Sequence, residues 1–151
     1  MQRKFQELRD EAYARGVSEW EELLRHPTFR DFVVLYIAEG YKRSRNTASL
    51  CNSDPAVVAL GMLWLRRLSS RTPVVAVQYH LDQDTDELRT FWGETLGIDP
   101  ATVRLCPKSN SGQLRSRVWR CAHGVAAVTV HDTCFRARLQ AWIDRVHETW
   151  G

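Results

Sequence analysis

The sequence predicts an α+β fold, on three observations. Helix starts are marked by a capping acid at Asp54 (with Pro55 next), at Asp84 (with Glu87 three residues on) and at Asp132. Short runs with strand-like alternation lie between them, at 74–80, 103–108, 114–120 and 124–130. These runs do not alternate regularly with helices. The order reads helices, hairpin, helix, strand, helix, two or three strands, helix, which suits a sheet backed by helices.

Each element has its own signal. Residues 2–14 read as a helix with Phe5, Leu8 and Tyr13 loosely spaced, ended by Gly16. Ser18 with Glu21 forms a capping box for a second short helix that Pro27 closes. Thr28 with Asp31 opens a helix over 29–39. A strand at 47–51 is expected to pair with residues 41–45 through a polar turn at Asn46. The helix from Pro55 to about Leu68 is apolar on nearly all sides and is expected to lie deep. The helix capped by Asp84 puts Leu88, Phe91, Trp92 and Leu96 on one face and ends at Gly97. The last helix carries a stripe of Phe135, Leu139, Trp142, Ile143 and Val146.

At 151 residues, 44% hydrophobic and 26% charged, the chain is long enough for a real core and ordinary for a soluble globular protein. The longest apolar run, 56–65, is far too short to cross a bilayer, and no signal peptide is visible. Four cysteines without a C-x-x-C pair read as reduced thiols of a cytoplasmic protein. The net charge of +3 is modest but segregated. Acids are absent from 40–53, 55–81 and 100–131, where Lys42, Arg43, Arg45, Arg66, Arg67, Arg71, Arg104, Lys108, Arg115, Arg117 and Arg120 stand. Such segregation gives one face a positive field and points to a polyanionic partner.

The most informative stretch is 32–40, an apolar helix that runs into Glu39, then Gly40, then Lys42, Arg43 and Arg45. A carboxylate is repelled by the partial negative charge of a helix C-terminus, so something must gain from Glu39 there. A divalent cation is the obvious candidate, being drawn both to hard carboxylate oxygens and to that negative end.

With Leu35, Ala38, Glu39 and Gly40, this stretch resembles the signature helix of the LAGLIDADG family of homing endonucleases and their non-cleaving relatives. Val34 stands where the family has a small glycine, and Ile37 where a second acid is common. The resemblance implies a LAGLIDADG-type saddle, an αββαββα-like mixed antiparallel sheet with helices on one face, here with extra helices. It assigns 28–151 to a DNA-binding or endonuclease domain and leaves 1–27 as an N-terminal helical extension. It implies a homodimer on double-stranded DNA, with Val33, Val34, Ile37 and Ala38 between the two signature helices. Glu39 is then the catalytic acid, and Glu39 with Gly40 the Mg²⁺ site. In such a protein, cytoplasmic and nucleoid-associated, the partner is DNA and no membrane is involved. The alternative is a regulator that binds DNA without cutting it.

The residues supply the contact surface independently. Alternation separates Arg43, Arg45 and Thr47 from Lys42, Ser44 and Asn46, one set suited to base edges and the other to phosphates. Arg115, Arg117 and Trp119 share a strand face, with Lys108 and Gln113 in the polar loop before it and Arg120 at its end. Gln78 and His80 point one way from their strand. Cys121 and His123, with His131 and Cys134, are the right ligand types for zinc, but a strand separates the pairs, so buried thiols and surface histidines are expected.

Overall fold

A computed structural model describes residues 2–108 and 121–151. Helices α1 (Gln2–Leu23) and α2 (Phe29–Glu39) precede strand β1 (Ala48–Asn52) and helix α3 (Pro55–Leu68). Strand β2 (Val74–Tyr79), helix α4 (Thr85–Leu96) and, after one 3-10 turn, strand β3 (Arg104–Pro107) follow. Strand β4 (Val125–Val130) and helix α5 (Thr133–Thr149) complete the described chain. The expected strand at 114–120 lies outside the described residues.

The four strands form one mixed sheet in the order β1-β4-β2-β3. β4 runs antiparallel to both β1 and β2, while β3 is parallel to β2 and is reached through α4. Alternation sorts the side chains. Ala48, Leu50, Val75, Val77, Ala126, Val128 and Val130 turn inward and join Phe29, Phe32, Tyr36, Trp64, Trp92 and Trp142 in one core. Helices therefore cover this side of the sheet, which is the α+β arrangement expected. α1 forms a further layer on α5.

The helix signals perform as their chemistry requires. Asp54, Asp84 and Asp132 each accept a backbone N–H of the following turn, and Gly97 ends α4 with φ 65°. α3 is deep on one face only, since Leu63 is exposed. Thr28 does not cap α2; its Oγ1 instead accepts a bond of 2.9 Å from Trp64 Nε1.

Two expectations are corrected. α1 is a single helix that passes through Gly16 and Ser18. A β-carbon at Gly16 would lie 2.8 Å from the Arg138 carbonyl oxygen, so the glycine is there for close approach of α1 to α5. Trp142 Nε1 donates to the Gly16 carbonyl at 2.9 Å, and Ser18 Oγ donates back to Arg15 O rather than capping.

The hairpin is cut short: 41–47 contain no strand, and the pairing is confined to the Gly40–Leu50 bridge and a bond of 2.8 Å from Tyr41 N–H to Ser49 O. The Tyr36 hydroxyl takes the positions of ladder bonds, donating to Tyr41 O and accepting from Ser49 N–H. Lys42 folds back onto α2, and Asn46 is tied to Thr133, so the segment is a loop held by side chains. β1 finds its partner in β4 instead.

Candidate nucleic-acid interface

The outer face of the sheet is built from residues with little bulk. Ser49 and Cys51 of β1, Ala127 and Thr129 of β4, Ala76 and Gln78 of β2, and Arg104 and Cys106 of β3 all point away from the core. They are exposed or half-buried, and no described helix covers them. Ser49 and Thr129, opposite each other in register, share a hydroxyl bond of 2.7 Å. Gln78 and Arg104 are exposed.

Glu39 is exposed at the last residue of α2, where the chain turns toward the edge strand β1. Burial and the nearby Glu39 push the Cys51 thiol up, and Lys108 pulls it down. Gly40 is required beneath this corner, since a β-carbon there would overlap the Tyr36 ring.

The negative end of α2 has a resident cation. Lys42 Nζ donates to Ile37 O at 2.8 Å and to Gly40 O at 2.9 Å. At these carbonyls the ammonium supplies the counter-charge that the helix end favours. Among the described residues no three His, Cys, Asp or Glu side chains converge as a metal-ligating group.

The other expected residues divide. Arg43 and Arg45 do not sit on the open face; with Lys42 they line a cavity whose other walls are α1 and α5. Thr47 is bonded to His131 Nδ1 at 3.2 Å. Gln78 is on the open face, but His80 is 5% exposed beyond the end of β2, so the two do not point the same way. The His80 N–H donates to Gln83 Oε1, and Gln83 Nε2 secures the backbone at Cys121 and Ala122. Lys108 is half-buried where its N–H joins Tyr79 O. Gln113, Arg115, Arg117 and Arg120 lie outside the described residues.

Of the expected dimer contacts, Val33 is wholly enclosed by its own core, 0% exposed, and offers no surface to a second copy. Val34 and Ile37 are half-buried and Ala38 is exposed. The cysteine–histidine pairs stay apart: His123 stacks on Phe91 and His131 meets Thr47, at opposite ends of β4. At about 3.3 Å per residue, that strand keeps them roughly 20 Å apart. The thiols are not buried as expected, because Cys51, Cys106 and Cys134 are exposed.

Sequence reasoning did not single out Arg104 on the outer face, although its alternation with Cys106 in β3 carried the signal. It also missed Arg136, which a helical stripe does not distinguish from Arg138. Compared with known proteins, the chain matches no family model, no curated protein and no solved structure.

Proposed function

We propose that this chain binds double-stranded DNA on the open face of its sheet, as a homodimer of the LAGLIDADG kind. There it hydrolyses phosphodiester bonds, with Glu39 of each copy holding Mg²⁺. One observation carries the reading. The outer face of the sheet, which no described helix covers, carries small residues with exposed Arg104 on β3 and Lys108 just beyond it, and exposed Glu39 ends α2 beside the opposite edge strand β1. Small side chains allow a duplex backbone to approach, and cations on the rim meet its phosphates.

Each residue has a task in this account. Glu39 supplies one carboxylate per chain, a partial donor set that a second copy completes. When bound, Mg²⁺ neutralises charge on the attacked phosphate and makes its water a better nucleophile. Arg104 and Lys108 fix the duplex by its phosphates, and Gln78 offers an amide to base edges or backbone. Such a protein works in the cytoplasm, on the nucleoid.

Supercoiled plasmid with Mg²⁺ tests this reading. The natural chain nicks it, and Glu39→Gln slows nicking by about a hundredfold or more. Undiminished nicking by Glu39→Gln would remove the acid from the mechanism. A second reading, a DNA-binding regulator that does not cut, is favoured by Lys42 at the helix end where a cation is wanted. Tight duplex binding with intact plasmid would select it.

A further inference from the structure

Two arginines of α5 are buried to the same degree and treated differently. Arg138, 6% exposed, receives a complete set of partners: Glu19 on two nitrogens at 2.8 and 2.9 Å, and Leu68 O at 2.7 Å. Arg136, 5% exposed, makes no ion pair among the described residues. Among the described residues its guanidinium makes one long hydrogen bond, 3.4 Å from Nη2 to Lys42 O, and its Nε has no partner. A guanidinium stays charged at any ordinary pH, and burying it without an anion is strongly unfavourable. The Tyr36 phenol gives no compensating charge: burial pushes it up, even with Ser49 N–H and Arg136 pulling it down.

Arg136 lines an open cavity of about 460 Å³ between α1, the loop after α2 and α5. Arg9, Lys42, Arg43 and Arg45 share its walls, and Asp10 is the one acid there, with an oxygen already bonded to Gln6. Its lining comes from α1, α5 and the loop after α2, and no residue of the described strands contributes to it. We propose that this cavity is a binding site for a phosphate group, with Arg136 at its base and Arg43 and Arg45 at its rim. Five cations against one acid suit a dianion better than a single carboxylate. The volume lies in the range of small-ligand pockets and leaves room for an organic moiety behind the phosphate. The depth of Arg136 favours a small phosphate-bearing molecule over a duplex, whose phosphates sit on a convex surface.

Calorimetric titration of the full chain with pyrophosphate, at fixed ionic strength, tests the site. One pyrophosphate binds per chain, and Arg136→Met weakens it at least about tenfold, as does Arg43→Ala on the exposed rim. Arg136→Met also leaves the unliganded protein as heat-stable as before or more so, since an unpaired buried charge is gone. Should Arg136→Met not fold, Arg43→Ala decides by itself. A second titration with a short duplex already bound identifies the source of the phosphate. Undisturbed pyrophosphate binding assigns the site to a free small molecule, and displacement assigns it to DNA. The proposal is overturned if pyrophosphate does not bind the natural chain at millimolar concentration, or binds Arg136→Met or Arg43→Ala equally well. Because plasmid nicking depends on Glu39 and not on this cavity, either idea survives the failure of the other.

Discussion

Glu39 and Lys42 are three residues apart and have opposite relations to the same helix end. The acid stays in solvent, while the ammonium reaches back to the carbonyls of Ile37 and Gly40. Replacing Lys42 by Met leaves those carbonyls without their cation, and thermal denaturation should show a loss of about 1–3 °C. An unchanged midpoint would mean that the contact contributes nothing in solution. The acid's place was legible in the sequence because an apolar run fixes where α2 ends. The lysine's was not, because its direction depends on a loop whose backbone is set by the Tyr36 hydroxyl, a long-range choice. The same holds for Arg136 and Arg138. Both are arginines on one helix, and what tells them apart is distant in sequence: Glu19 from α1 and Leu68 O reach Arg138.

At the scale of elements, the capping acids made the helices readable, because such a carboxylate acts within one turn of its own position. Asp132 also bonds outward, to the Ser69 hydroxyl at 2.7 Å and to Ser70, and so ties α5 to the end of α3. Burial pushes its carboxyl up, but the Phe135 N–H and the two serines together hold it below the ordinary carboxylate value. A lowered folded pKa adds stability above the unfolded value, and that stability drains as pH falls below about 4. Asp132→Ala should therefore cost about 1–2 kcal/mol at neutral pH, with the gap to the natural chain narrowing in acid. Denaturant titrations at both pH values measure it, and a gap independent of pH would contradict the role. Gly16 misled the reading because the chemistry that ends helices also lets them touch. Gly16→Val pushes α1 off the Arg138 carbonyl and should destabilise by about 1–3 kcal/mol, again read by denaturant.

Over the whole molecule, the class of fold followed from caps and alternation, while the strand order did not. β1 was expected beside its sequence neighbour and pairs with β4 instead, since pairing across such a separation leaves no local mark. The acid-free segments suggested one positive face, but their cations are divided between two places. Arg104 and Lys108 belong to the sheet side, and Lys42, Arg43 and Arg45 to the cavity between α1 and α5. Sedimentation should give a dimer when duplex is present, because one Glu39 per chain is an incomplete donor set; a strict monomer on DNA would leave hydrolysis without its second acid. The central claim is that a duplex lies on the open sheet face, and its affinity against salt tests this most directly. Arg104→Glu should weaken duplex binding about tenfold or more and lower the salt slope by about 1, with the fold intact by circular dichroism. Binding that ignores salt, or that Arg104→Glu leaves untouched, would contradict it.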